Sequence, residues 1–174
     1  MFHVKHLRTY KLHGAIERER GMALLGMLAL VGVLALGAAA FGPALAAECA
    51  FVGVVEEALC TGLFFNLLCA HYGITGEAIR KIGGTERSVV ASGNISETAH
   101  AAMPSDMSKQ LRKASLLTAL VFALCHLAQP WKLPIALVFS LCMIRLYRAT
   151  GTLAWPVCAH AAFDMLWFGL AQLP

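Results

Sequence analysis

Apolar residues in this chain gather in five long runs divided by polar stretches. Gly21 to Ala47 is the longest run and carries no charge. Ala50 to Tyr72 is apolar except for Glu56, Glu57, Asn66 and His71. Ser115 to Gln129 is shorter, is broken by His126, and is closed by Pro130. Leu133 to Tyr147 is also short, with Arg145 near its end, and Thr152 to Leu173 holds His160 and Asp164. A helix needs about 20 mainly apolar residues to span a bilayer. The pattern therefore predicts an all-α, polytopic transmembrane bundle with about five membrane helices.

The polar stretches organise the rest. Residues 1–20 form a basic tail, residues 21–47 the first transmembrane helix, and residues 50–173 the core. Within that core, residues 73–113 are rich in Gly, Ser, Thr and charge and read as a loop with one short surface helix. The first run has a rival reading, since Ala44-Leu45-Ala46 before Ala47 resembles a signal-peptidase site. Signal cores are about 7–15 residues long, and Gly21 to Leu36 already exceeds that, which favours an uncleaved anchor.

Composition agrees that the solvent is lipid: 59% of residues are hydrophobic and 14% charged, against about 45–50% and about 25% in soluble domains. The net charge of +4 has a membrane explanation. Lys and Arg concentrate on the cytoplasmic side of membrane proteins. With the N-terminus inside and five crossings, every one of the 14 basic residues except Lys132 falls in the cytoplasm. The expected topology is a multi-pass cell-membrane protein, N-terminus cytoplasmic and C-terminus outside, with no nucleic-acid partner. The six cysteines lie almost entirely within apolar runs and show no CxxC or zinc-ribbon spacing, so they read as packing residues.

What needs explaining is the charge inside the runs. A charge at the centre of a membrane helix costs about 2.5–3.5 kcal/mol on insertion scales. Glu56, Glu57, His126, His160 and Asp164 standing alone would together cost of the order of 10 kcal/mol. They are tolerable only if they converge or line a wet cavity. Residues four apart share a helix face, which pairs His160 with Asp164 and Phe122 with His126. Glu56 and Glu57 point about 100° apart, so one should face a site while the other buttresses it. Such a set can deprotonate and position a water. It can equally hold zinc, which takes His nitrogen and carboxylate oxygen and keeps an open position when catalytic.

Three stretches carry a resemblance. These are Glu56-Glu57-Ala58-Leu59-Cys60-Thr61-Gly62, Phe122-Ala123-Leu124-Cys125-His126, and Trp155-Pro156-Val157-Cys158-Ala159-His160-Ala161-Ala162-Phe163-Asp164. They are similar, in order and interval, to the EExxxRG, FxxxH and HxxxN/D blocks of the CPBP intramembrane proteases, the CAAX prenyl endopeptidases and bacteriocin-processing enzymes also called the Abi family. The resemblance covers about Val52 to Phe168. It implies that Glu56 is the general base, with His126 helping to hold the water. It implies that His160 and Asp164 position the water or stabilise the oxyanion, and that Glu57 is the supporting carboxylate. If the enzyme is metal-dependent, Glu56, His126, His160 and Asp164 would be the ligands and zinc the metal; a metal-free glutamate mechanism fits the same residues. The substrate implied is a peptide or a membrane-proximal protein tail.

Two departures matter. Thr61 stands where the family has Arg, so the paired carboxylates lose a neighbouring cation. Then one Glu is held neutral, another cation such as Arg145 reaches the site, or activity is weakened. Asp164 replaces the commoner Asn and adds negative charge, favouring a metal or an imidazolium on His160. His71 reads as an interface group, Trp131, Trp155 and Trp167 as interface aromatics, and His3, His6 and His13 as a polar tail. The rival to the protease is a catalytically silent relative that binds a peptide or partner helix in immunity or scaffolding. A haem-ligating bundle would leave the Glu pair unexplained.

Overall fold

The computed structural model of the chain describes residues 2–76, 79 and 105–171. The described residues are helical, with no strand among them. Helix α1 spans Phe2–Phe41 and α2 spans Pro43–Glu57; α2 continues through a π-helical stretch, Ala58–Phe64, into α3, Phe65–His71. Then come α4 (Ser105–Leu124), a 3-10 turn (Pro130–Lys132), α5 (Leu133–Thr150) and α6 (Ala154–Ala171).

The breaks follow from local chemistry. Gly42 takes φ 96° and Pro43 occupies the first turn of α2, so the chain stops one helix and starts the next within two residues. The second apolar run consequently begins at Pro43, not at Ala50, and the first ends at Phe41 rather than at Ala47. Gly151, at φ 73°, closes α5 by donating its N–H to the Tyr147 carbonyl at 2.7 Å, a left-handed cap that favours glycine.

The third run is where the expected boundaries fail. Helix α4 starts at Ser105, inside the stretch read as loop, and ends at Leu124 rather than at Gln129. Its early start adds Asp106, Lys109, Arg112 and Lys113 to the helix, a polar turn that apolar counting misses. Within residues 73–113, residues 77, 78 and 80–104 lie outside the described residues.

Among the described residues three stretches are long and apolar enough to cross a membrane: Arg20–Phe41, Pro43–His71 and Pro130–Thr150. The distribution of side chains is inverted relative to a water-soluble bundle. Leu24, Leu28, Val31, Leu36, Phe51, Leu59 and Val138 are exposed, whereas Glu57, Thr61, Thr118, Ser140 and His160 are buried. Lipid accepts the apolar surface and offers nothing to a polar group, so polar groups turn inward. The apolar helices and this inversion are those of a membrane protein.

Helices α1 and α2 both lie along α6, while α4 packs on α5. Ala46, Cys49, Ala161 and Met165 form one core cluster, which Leu30, Val33, Leu34 and Phe41 of α1 cover. Small residues let these backbones approach: Gly169 faces the Phe41 ring and Gly26 faces Ala154 and Trp155. The Trp155 indole N–H donates to the Met22 carbonyl at 3.0 Å, so this tryptophan ties α6 to α1. A second cluster, with Phe65, Cys69, Leu111 and Ile144, joins α3, α4 and α5 at the other end.

Candidate active site

The site is built around His160, which α6 presents to the interior with its side chain 5% exposed. Its Nδ1–H donates to Glu57 Oε1 at 2.9 Å, across from α2. The approach of α2 to α6 is set by Gly53: a Cβ there would stand 3.3 Å from the Ala161 nitrogen, 3.4 Å from the Val157 carbonyl oxygen and 3.5 Å from His160 Cβ. One turn after Gly53, Glu57 is thereby brought into hydrogen-bonding range of the imidazole.

Glu57 is fixed from its other oxygen as well. Thr61 Oγ1–H donates to Oε2 at 2.7 Å, and both residues are buried. Where the EExxxRG pattern would place Arg, this chain supplies one neutral donor to the same carboxylate. Arg145, the cation considered from the sequence, is exposed on α5 and contributes nothing to this cluster. Thr61 lies in the π-helical stretch, whose wider turn is held open by Asn66. The Asn66 amide donates to the Gly62 carbonyl at 2.6 Å and lies 3.2 Å from the Tyr147 hydroxyl. π-Helical turns in α-helices frequently sit at functional sites.

Glu56, one residue away and rotated round the helix, faces a cavity instead. Its carboxylate is 3.6 Å from His160 Nε2, and Asp164 Oδ2 is 3.7 Å from the same nitrogen. These separations are too long for direct hydrogen bonds. The imidazole is thus clamped on Nδ1 and flanked by two carboxylates on its Nε2 side.

His126 reaches the cavity by a route that helical spacing does not give. Phe122 and His126 were expected on one helix face, but α4 ends at Leu124 and His126 lies in the turn after it. The backbone N–H of His126 bonds the Ala123 carbonyl at 2.9 Å, while its Nδ1–H donates to the Phe122 carbonyl at 2.9 Å. The side chain takes the bond that the next helical N–H would have made, and this ends the helix. The tautomer with its proton on Nδ1 leaves Nε2 as an acceptor. The ring packs on Phe122, 4.9 Å between centroids.

Glu56, His126, His160 and Asp164 all line one cavity of about 120 Å³. By the same measure a water needs roughly 10–15 Å³, so several waters fit. The structure brings together all five residues singled out from sequence, with Glu57 behind the wall rather than on it. Lys132, Phe139 and Trp167 also line the cavity; none was read as a site residue from the sequence, and Trp167 was read as an interface aromatic. The Phe139 ring stands nearly perpendicular to the His160 ring at 4.8 Å, closing one side of the imidazole. No pattern marked Phe139; Lys132 did stand apart as the lone basic residue between its two runs.

The donors available to a metal are His160 Nε2, His126, Glu56 and Asp164. Among the described residues no group of three or more His, Cys, Asp or Glu is placed to hold one. With Nδ1 bonded to Glu57, His160 leaves Nε2 beside Glu56 and Asp164, as a metal-ligating histidine does when a carboxylate takes its other nitrogen.

No curated protein and no solved structure matches the chain. The family model for type II CAAX prenyl endopeptidase Rce1-like proteins matches residues 38–166, a span that holds every residue of the cluster. Helix α2, the end of α4 and helix α6 are thus matched in order, and their side chains meet at one cavity inside an apolar bundle. The chain belongs to the Rce1-like type II CAAX prenyl endopeptidase family.

Proposed function

We propose that this protein is an intramembrane endopeptidase that hydrolyses a peptide bond in a small peptide or membrane-proximal protein tail. The convergence of Glu56, His126, His160 and Asp164 on one cavity carries the reading. Glu56, 34% exposed and on the cavity wall, takes a proton from a water. The resulting hydroxide attacks the carbonyl carbon, and the proton passes from Glu56 to the departing amine. His160, held by Glu57 as a histidine is held by the carboxylate of a catalytic triad, keeps its Nε2 side toward the water. His126 accepts from the water through Nε2. Asp164 flanks His160 on the same side as Glu56. Every step is assigned to these side chains.

Topology follows from the basic residues. With the N-terminus cytoplasmic and the C-terminus outside, the end of the bundle holding Lys132, Trp131 and Trp167 faces outward, and the cavity is reached from there.

The second reading is a catalytically silent relative that binds a peptide or partner helix, and Thr61 in place of Arg favours it. The Thr61–Glu57 bond answers part of that objection, since the buried carboxylate keeps a donor on each oxygen. Glu56→Gln separates the two. Shape is kept and the base is lost, so turnover of a peptide library by purified protein should fall by about 10²-fold or more, with insertion unimpaired. Unchanged cleavage removes Glu56 from the mechanism, and no cleavage by either form supports the binding reading.

A further inference from the structure

The π-helical stretch Ala58–Phe64 disturbs the backbone bonding that lipid demands. At its end the Phe65 N–H bonds the Cys60 carbonyl, five residues back. The helix then returns to four-residue bonding as α3, and such a return leaves one carbonyl without a backbone donor. Inside a bilayer that oxygen must be satisfied by a side chain or a neighbouring helix. The Asn66 amide stands over the two carbonyls at the change, 2.6 Å from that of Gly62 and 3.4 Å from that of Thr61.

Asn66 is in turn held from outside its own helix. The Tyr147 hydroxyl of α5 lies 3.2 Å from the Asn66 amide nitrogen and 3.5 Å from its oxygen. The Tyr147 ring meets buried Phe65 edge-on at 6.2 Å, which leaves the hydroxyl little choice of direction. Tyr147 lies eight residues, about two helical turns, after Phe139, whose ring packs on His160. The contacts therefore close a circuit: His160 to Glu57, Glu57 to Thr61, the π turn to Asn66, Asn66 to Tyr147, and α5 back through Phe139 to His160. An extra residue in a helical turn rotates all that follows by about 100°, so the π turn sets the register between the Glu pair and α3. Neither Asn66 nor Tyr147 lines the cavity, so neither touches a substrate bound there.

We propose that Asn66 and Tyr147 are positioning residues for the site: they fix the π turn, which holds Thr61 against Glu57, and thereby set the carboxylate that orients His160. The kinetic part of the proposal rests on the proteolytic reading; the structural part does not.

The test uses the full chain in detergent with Tyr147→Phe, which loses the hydroxyl and keeps the ring, and Asn66→Leu, each alone and combined with Thr61→Val. The first readout is the ring-nitrogen NMR shift of His160 in histidine-labelled protein, assigned by its loss in His160→Gln. In Tyr147→Phe and in Asn66→Leu it should move in the same direction as in Thr61→Val. A His160 signal at the wild-type position in either variant overturns the proposal, even if the melting temperature falls, because a tie that only joins α3 to α5 would lower melting without reaching the imidazole. Should Asn66→Leu not insert, Tyr147→Phe decides alone. The second readout is cleavage. Tyr147→Phe should lower kcat about threefold at unchanged KM, the average worth of one side-chain bond within a membrane bundle. With Thr61→Val already present it should cause no further loss, since both changes act through one bond. A further threefold loss in that background, or a change confined to KM, overturns the proposal. Absence of turnover by the unaltered protein counts against the proteolytic reading and leaves the His160 signal to decide the positioning role.

Discussion

Replacing Thr61 by Val tests whether the hydroxyl does the work left by the missing Arg. Val keeps nearly the same shape but removes the donor 2.7 Å from Glu57 Oε2. Thr61 is 1% exposed and Glu57 2%, so no water replaces it. A hydrogen bond to a charged group is worth about 1.5–3 kcal/mol, and an orphaned buried acceptor costs about as much. Side-chain bonds within membrane bundles measure lower, about 0.6 on average and about 1.7 at most. Because this acceptor is a carboxylate, about 1–2 kcal/mol is the reasonable range. The loss falls on Glu57, whose other oxygen holds His160 Nδ1. If the imidazole needs that hold in the transition state, kcat/KM drops by about 5- to 30-fold, at about 1.4 kcal/mol per tenfold. Thr61→Ser, which restores the hydroxyl, should recover most of it. Thr61→Arg would force a longer side chain into a filled site and lower the melting temperature. Peptide cleavage and detergent melting curves on the three variants form the assay. A Thr61→Val protein with wild-type kcat/KM and melting would refute the role given to this bond.

Gly53→Ala should lower kcat, because the added methyl meets the Ala161 nitrogen at 3.3 Å and pushes α2 from α6, lengthening Glu57–His160; full activity would show that the two helices yield there at no expense. With every step assigned to side chains, cleavage should survive 1,10-phenanthroline; a loss that added zinc reverses would refute the metal-free assignment. Lys132→Cys should react with a membrane-impermeant maleimide in intact cells beyond the wild-type background, and Arg145→Cys should not; the reverse pattern would invert the proposed topology.

Much of the site was legible before any coordinates because lipid makes charge conspicuous. Glu56, Glu57, His126, His160 and Asp164 stand out in apolar runs, and isolated burial is too costly to leave them apart. Spacing also distinguished the two glutamates, since adjacent helical residues cannot aim at one point; Glu56 on the cavity wall and Glu57 behind it follow that rule. Boundaries were less legible. Helix α4 begins in a polar turn, and its end depends on one side chain, His126, capturing the Phe122 carbonyl. Periodicity carries no record of such a bond.

The sequence by itself determined the solvent, the helical class and the set of ionisable groups that must meet, because hydropathy and insertion cost are properties of residues in a row. Tertiary structure alone decided which atoms meet. Thr61 became the donor to Glu57 through a π-helical turn, Phe139 became a wall of His160, and Lys132, not Arg145, became the cation on the cavity. Those assignments turn on helix rotation and on how closely α2, α5 and α6 approach, and these depend on residues distant in the chain packing against one another.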